Sequence, residues 1–425
     1  MPSNRHVYLK GKHIVVGISG GIAAYKIPEL IRLLVKEGAE VRVTTTRNAL
    51  QFVTETTLRT LSGCPVYSDV FAAVNAHATE HISLPEWADL MLIAPATANV
   101  LAKTAVGIAD DALTTTYAAC IARKPIVVAP AMNDKMYAAP ATQKAFRTLV
   151  EQGVHLLDCA EGFLACGADG KGRMQELEAI MEAVQTALTP QSLTGHHILI
   201  TAGPTRERID PVRYVSNDSS GKMGFAIARE CLRRGARVTL ISGPTHERIV
   251  PVTYIDSQGT MLNYIPTESA EDMYVAAIKV FLNDSQVCVC RPDAVVLSAA
   301  VADFTPAEPA AQKRKKEPGQ TEMQLRMVLT HDIAAELGKR KRDDQYLVGF
   351  ALETENELQN AQAKLLGKNL DMIVLNSLRD AGAGFGTDTN KVTLITRQSK
   401  ENLPLLSKQE VASRIIDAIE SNFFS

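Results

Sequence analysis

This 425-residue chain lacks most features that announce an exported, membrane-bound or metal-scaffolded protein. Its seven cysteines stand at 64, 120, 159, 166, 231, 288 and 290, and no two form a C-x-x-C pair. That excludes the usual zinc-ribbon and thioredoxin-type spacings, and the odd count fits free thiols in a reduced, cytoplasmic setting. The N-terminus, MPSNRHVYLKGK, has no apolar signal-peptide core, and no stretch reaches the roughly 18 unbroken apolar residues of a membrane span. A soluble protein without a membrane partner is expected. An excess of either charge is missing too: 45 basic against 47 acidic residues give a net charge of −2, which argues against a general nucleic-acid binder. The longest basic run, KRKK at 313–316, reads as a solvated loop.

Two missing motifs narrow the chemistry. SNDSSGKMG (216–224) superficially offers a Walker-type Gly-Lys, but Ser216 replaces the first glycine and Met223 the Ser or Thr that would meet magnesium. ISGGIAAYK (18–26) places Ser19, Gly20 and Gly21 where a strand turns into a helix, a site that favours a phosphate. No acidic residue follows about 20 positions later at a strand end, as a dinucleotide's ribose would want. A single phosphate fits better, so a mononucleotide such as FMN leads.

What is present is a repeated plan. KHIVVGISGGIAAYKIPELIRLLVKEGAEVRVT (12–44) reads strand–glycine turn–helix–strand, with Ile27, Leu30, Ile31 and Leu34 at helical spacing. The order returns at 197–242 as HILITAG, a long polar loop, GFAIARECLRRG and ARVTLIS. TPQSLTG (189–195), after an amphipathic helix over 176–188, is the linker. Length alone allows of the order of two or three domains. Strands alternating with helices predict parallel sheets covered on both faces, hence an α/β protein of two doubly wound domains, 1–188 and 196–425. Ligands in such sheets lie beyond the carboxyl ends of the strands. In the first half those ends supply Thr46, then Thr97, Ala98 and Asn99 in APATAN.

Beyond these readings, ISGGIAAYK, APATAN with its trailing GIADDAL, PAMNDKMY and ACGADGKGRM resemble the flavin-dependent cysteine decarboxylases. TAGPT, DPVRYVSNDSSGKMG, AAVADF and KNLD resemble phosphopantothenate–cysteine ligase. Joined in this order, they look like the bacterial bifunctional enzymes that make phosphopantetheine for coenzyme A. The resemblance covers nearly the whole chain. It implies a flavodoxin-like FMN domain followed by a Rossmann-like ligase domain, with 4'-phosphopantothenate, L-cysteine and CTP as substrates and magnesium accompanying the CTP.

In the resembled decarboxylases FMN oxidises the substrate thiol to a thioaldehyde, carbon dioxide leaves, and the enethiolate is reduced and protonated. His81 in EHISLPEWADL matches the active-site histidine, and imidazole titrates near the working pH. Without that context a lone histidine before a strand is more often a capping or surface residue. Asn133 in PAMNDKMY follows the PIVVAPA strand, where its amide can donate to a carboxylate; Asn-Asp is also ordinary turn chemistry. Cys166, in a glycine-rich segment, matches the acid that protonates the enethiolate, whereas Cys159 reads as an inert buried thiol.

In the resembled ligases the acid is activated as an acyl-cytidylate, which the amine of cysteine attacks. The match puts Gly203, Ala299, Ala300 and Asp303 at the nucleotide, Asn217 at the acyl group, and Lys313 of the KRKK run as the catalytic lysine. Phe350 falls at a base-contacting position, and Lys364 and Lys368 at triphosphate-contacting ones. Two like charges at i,i+4 repel on a bare helix, so a bound polyanion is expected to offset them. No metal ligands are assigned. The chain departs from the family at THDIA (330–334), where N-P-D-I is common, and at 252–269, which is longer than the usual connection. The resemblance also implies a homo-oligomer, with decarboxylase trimers and ligase dimers building a dodecamer. Two other readings are a regulatory relative without catalysis, opposed by the presence of His81, Asn133 and Cys166, and a plain flavin carrier, which leaves the second half without a role.

Overall fold

A computed structural model describes residues 9–424 apart from 72–79, 164–166, 168, 256–260, 284–289, 316–320, 354, 378–383 and 385. Its contacts divide the chain into two compact units near residue 190. One holds Val7–Pro190 together with Val250–Gly259; the other holds Gln191–Ile249 and Thr260–Ser425. Residues 250–259, inside the stretch expected to be ligase, thus group with the N-terminal unit.

In the N-terminal unit, strands β1 (His13–Ile18), β2 (Glu40–Thr45), β3 (Val66–Tyr67), β4 (Leu90–Ala96), β5 (Ile126–Pro130) and β6 (His155–Leu156) form one parallel sheet in the order β3-β2-β1-β4-β5-β6. Without the two-residue β3, this is the flavodoxin-type order, with its switch point between β1 and β4. The strands are nearly continuous apolar runs because both faces are covered. Ile14, Val16, Leu90 and Leu92 enter one core, while Val15, Met91 and Ile93 enter the other. The helix Ile27–Lys36 has Pro28 in its first turn and buries Ile27, Leu30, Ile31 and Leu34. Each such side chain contributes about 1.5–3 kcal/mol by leaving water.

A separate antiparallel hairpin, β7 (Ala160–Phe163) and β8 (Asp169–Arg173), leans on the segment after β5. The Met132 N–H donates to Gly172 O at 2.8 Å, and a Cβ on Gly172 would lie 2.2 Å from Met132 O. Only glycine permits that approach.

In the C-terminal unit, β9 (His197–Ala202) is followed by a hairpin of β10 (Arg206–Arg208) and β11 (Tyr214–Ser216). Then come β12 (Arg237–Ser242), β13 (Leu262–Pro266), β14 (Ala294–Leu297), the hairpin β15 (Phe304–Pro306) and β16 (Met327–Leu329), β17 (Tyr346–Glu353) and β18 (Met372–Ser377). Last are β19 (Thr389–Asn390), β20 (Val392–Thr396), β21 (Lys400–Asn402) and β22 (Leu406–Ser407). The main sheet runs β13-β12-β9-β14-β17-β18-β20-β21. Its first six strands are parallel, but β20 and β21 are antiparallel, so the sheet is mixed where an all-parallel one was expected. No helix crosses between β18 and β20 among the described residues, and a parallel return would need one.

The helix Lys222–Arg233 begins at Gly221, whose φ of +80° suits glycine. One turn on, a Cβ at Gly224 would come within 2.5 Å of Ala202 and Ser298. The helix Lys408–Ile419 packs beside it. Arg234, buried at the end of the first helix, bridges Glu230, Asp417 and Glu420.

Candidate active sites

The expected flavin residues of the N-terminal unit gather at the carboxyl ends of β1, β2 and β4. Ser19 is fully buried; its hydroxyl donates to Pro95 O at 2.7 Å and accepts the Thr97 N–H at 2.9 Å. It therefore ties two strand ends together, where a phosphate contact was expected of it. A Cβ on Gly20 would lie 2.5 Å from that of Asn48, and one on Gly21 3.1 Å from Thr97 Cγ2. The turn feeds a short 3₁₀ segment, Ile22–Lys26, and the α-helix proper starts only at Ile27. Thr97 precedes the helix Ala98–Val106, with Ala98 half-buried and Asn99 exposed at its first turn.

Beside this turn, the hydroxyls of Thr44, Thr45 and Thr46 are buried and meet no hydrogen-bond partner among the described residues. Buried hydroxyls seldom stay unpaired. A glycine cradle next to three such hydroxyls fits a polar, phosphate-bearing cofactor such as FMN. Sequence reading singled out Thr46 but not Thr44 and Thr45, although the TTT run was the available signal.

His81 lies on the helix Glu80–Trp87, and its Nδ1 is buried with no partner among the described residues, unlike a surface residue. Asn133 caps the helix Asp134–Ala138, its Oδ1 accepting the Lys135 N–H at 3.0 Å. Its amide nitrogen is a donor by chemistry. On that helix, Tyr137 OH donates to Asp158 Oδ1 at 2.7 Å, while Lys171 Nζ from β8 donates to Asp158 Oδ2 at 2.5 Å. Burial disfavours the Lys171 charge, but Asp158 and Tyr137 outweigh it and push its pKa up to about 12. Sequence reading missed this cluster, whose members are far apart in the chain. Cys166 lies outside the described residues. Cys159 is buried, and burial raises its thiol to about 12, the inert state expected of it.

The C-terminal unit has two cavities at the carboxyl ends of β9, β14 and β17. One, of 520 Å³, is lined by Ala299, Asp303, Phe350, Lys364 and Lys368, with His331 and Asp332. The other, of 350 Å³, is lined by Asn217, the 218–224 turn, Ala300, Asn376 and Lys408. Ala299, Val301 and Phe350 line both. Both volumes fall in the range of small-molecule sites. A larger groove of 690 Å³ along Ile265–Val280 contains none of the expected residues.

The two lysines on the helix Glu357–Gly367 and its end are not a bare like-charged pair. Lys364 meets Glu353 at 2.6 Å and Lys368 meets Asp332 at 2.8 Å, so carboxylates already offset the repulsion that a polyanion was expected to offset. Burial pushes the Asp332 and Glu353 carboxyls up, but their lysines and local hydrogen bonds hold both below the usual range. In the THDIA departure, His331 bonds Glu271 at 2.6 Å and stacks on Tyr274, while Asp332 caps the next helix.

Asn217 gives its amide N–H groups to Ala300 O and Val301 O at 3.1 and 3.0 Å. They were expected at an acyl group; in this structure they fix the backbone turn that both cavities share. Gly203, with φ +76°, bonds Ala300 N–H and packs on Gly243, but lines neither cavity. Lys313 is exposed and also lines neither, although its neighbour Arg314 is held by Asp210 and Glu308. Lys222 of the apparent Walker sequence reaches Gly386 O and Asp388, so it braces a segment of protein. Lys408 and Asn376 were missed. Asn376 closes the apolar run DMIVLN and was visible; Lys408 carried no local signal.

Fold and sites together define a two-domain α/β protein, a flavodoxin-type unit followed by one with a nucleotide-sized double cavity. The Flavoprotein family model matches residues 2–189, and that of the DNA/pantothenate metabolism flavoprotein C-terminal domain matches 193–423. The Bacillus subtilis coenzyme A biosynthesis bifunctional protein CoaBC is 43% identical over 415 residues, 97% of either chain. A cysteine/cysteine sulfinic acid decarboxylase of an unknown prokaryotic organism is 44% identical over 373 residues, 86% of this chain and 98% of its own. A crystal structure of the C-terminal domain of a CoaBC protein shares 39% identity, with a TM-score of 0.42, over 54% of this chain and 97% of that one. The chain belongs to the CoaBC family, bifunctional enzymes of coenzyme A biosynthesis that join a flavoprotein decarboxylase to a ligase. Among the described residues no helix is long and apolar enough to cross a membrane.

Proposed function

We propose that the C-terminal unit ligates L-cysteine to 4'-phosphopantothenate through an acyl-cytidylate, and that the N-terminal unit decarboxylates the product to 4'-phosphopantetheine. The observation that supports this most is the pair of cavities sharing Ala299, Val301 and Phe350. CTP fits the larger one, its base near Phe350 and its phosphates drawing Lys364 and Lys368 from their carboxylates. Asp303 faces the same space and suits a ribose or a magnesium-linked contact. The described residues contain no group of three or more His, Cys, Asp or Glu side chains suited to a metal, so magnesium would enter with the triphosphate. The acyl group then lies toward the second cavity, where Asn217 holds the Ala300–Val301 turn against it. Such prior orientation is how a protein speeds attack by an amine. Lys313, on an exposed segment, reaches the developing phosphate charge on closure.

In the N-terminal unit, Ser19, Gly20 and Gly21, Thr46, and Thr97, Ala98 and Asn99 would hold FMN. Bound there, FMN would supply the two-electron oxidation of the substrate thiol and, once carbon dioxide has left, the two-electron reduction of the enethiolate. His81 takes a proton, the Asn133 amide donates to the substrate carboxylate, and Cys166 returns a proton to the enethiolate. A homo-oligomer of decarboxylase trimers and ligase dimers, up to a dodecamer, accompanies this reading and is checked by light scattering.

The purified full-length chain tests the proposal. It should show flavin absorbance, release pyrophosphate only with cysteine and CTP, and turn over phosphopantothenoylcysteine faster than free cysteine. A colourless protein without pyrophosphate release sinks it. Preference for free cysteine would align the N-terminal unit with the cysteine decarboxylase relative, and ATP working as well as CTP would remove the cytidylate.

A further inference from the structure

Residues 250–255 follow β12 and precede β13, yet they are built into the N-terminal unit. They run antiparallel to the chain that continues β6. The Ile255 N–H donates to Leu156 O at 3.0 Å, the Asp158 N–H donates to Thr253 O at 2.8 Å, and Leu157 bridges Tyr254 between them. Val252 and Tyr254 pack on one core and Ile255 on the other, the alternation of a strand. Without this stretch, the short edge strand would present unpaired backbone groups. A buried glutamine fastens it: Gln175 Nε2 donates to Thr253 O at 2.7 Å and to Asp158 O at 2.8 Å.

Asp158 is therefore held from both sides. Its carboxylate accepts from Tyr137 OH and Lys171 Nζ. Tyr137 stands on the short helix that Asn133 caps, and Lys171 precedes Gly172, whose carbonyl takes the Met132 N–H beside Asn133. A continuous set of hydrogen bonds thus runs from Thr253 to the Asn133 turn.

We infer that residues 250–255 are a positioning strap, by which a segment lying between two strands of the ligase unit in sequence sets the Asn133 turn of the decarboxylase through Asp158. The inference rests on the decarboxylase reading and on the role of Asn133 given above. None of these strap contacts involves the flavin cradle, so the strap acts on substrate alignment.

The test uses the full-length chain with the double variant Val252→Asp/Tyr254→Asp and, separately, Gln175→Leu. In the double variant, kcat/KM for phosphopantothenoylcysteine should fall about tenfold to a hundredfold, the scale of a roughly 1 Å misalignment. Bound flavin and CTP-dependent ligation should stay within about twofold of the parent. Gln175→Leu should move decarboxylation the same way by less, and Val252→Ile/Tyr254→Phe should restore it. Unchanged decarboxylation in both disruptive variants overturns the inference, as does loss of flavin in parallel with activity, which would make the strap a structural stave only. A parent chain lacking flavin and decarboxylation overturns the functional reading itself, so the two failures are distinguishable.

Discussion

The two units start alike and diverge within a few residues of their first strand. After β1 the chain turns on Ser19–Gly21 and enters helical structure at Ile22. After β9 the β10–β11 hairpin and the SNDSS turn intervene before the helix at Lys222. The first arrangement leaves a tight backbone cradle beside buried threonine hydroxyls, suited to one resident cofactor. The second opens two cavities lined by paired lysines and a backbone turn, suited to reactants that enter and leave. One strand–helix–strand plan thus serves two chemistries through what is inserted between strand and helix, the usual place for functional variation in such folds.

The largest effect is expected from Asn217→Asp. It sets a carboxylate against two carbonyl oxygens now 3.0–3.1 Å from the amide nitrogen. Ligation should fall of the order of a hundredfold, while the decarboxylase is untouched. Coupled pyrophosphate and peptide-bond assays would show acyl-cytidylate forming without transfer; normal ligation would free Asn217 of any role.

Gly20→Ala probes the other unit, since its Cβ would sit 2.5 Å from that of Asn48. Flavin affinity should drop about tenfold or more, for a displacement costing about 1.4 kcal/mol or more, with ligation preserved. Flavin titration followed by fluorescence reads this directly, and an unaltered affinity would place the cofactor elsewhere.

Lys368→Ala would leave Asp332 facing the larger cavity without its cation. The KM for CTP should rise several-fold to about tenfold, a loss of one charge-assisted contact worth about 1.5 kcal/mol. Little change in kcat is expected, and steady-state kinetics at varied CTP separates the two.

The smallest effect concerns Lys408, buried at a helix start beside the second cavity. Burial first, and then Lys222, lower its pKa from 10.5 to about 8 against the weaker pull of Asp388 and Glu247. Between those values the unfolded chain holds more protons than the folded one, so this residue's contribution to stability rises with pH across that window. Lys408→Met should flatten the rise, seen as a Tm difference that narrows from pH 8 to pH 10; a parallel shift at every pH would contradict it.

Much of the fold was legible because its rules are local. Apolar runs such as HIVVGI and LMLIAPA, the spacing of Ile27, Leu30, Ile31 and Leu34, and glycine stops mark strand and helix without reference to partners. The antiparallel β20 was not legible, since KVTLIT reads as a strand whichever way it pairs. Site residues were visible where they close a strand, as Thr97, Asn133 and Asn217 do around their turns. What each atom touches was not. Ser19 and Asn217 are polar residues in the expected places, yet in this structure their hydrogen bonds go to protein backbone.

By itself, then, the sequence determined the two α/β halves, their order and the CoaBC family, because periodicity and short motifs are properties of neighbouring residues. Only the tertiary structure decided that Lys364 and Lys368 are already paired with Glu353 and Asp332, that Lys222 braces a segment of protein, and that residues 250–255 pair with the chain just beyond β6. Those outcomes depend on hydrogen bonds and burial between residues from 11 to 166 positions apart, which no local pattern encodes.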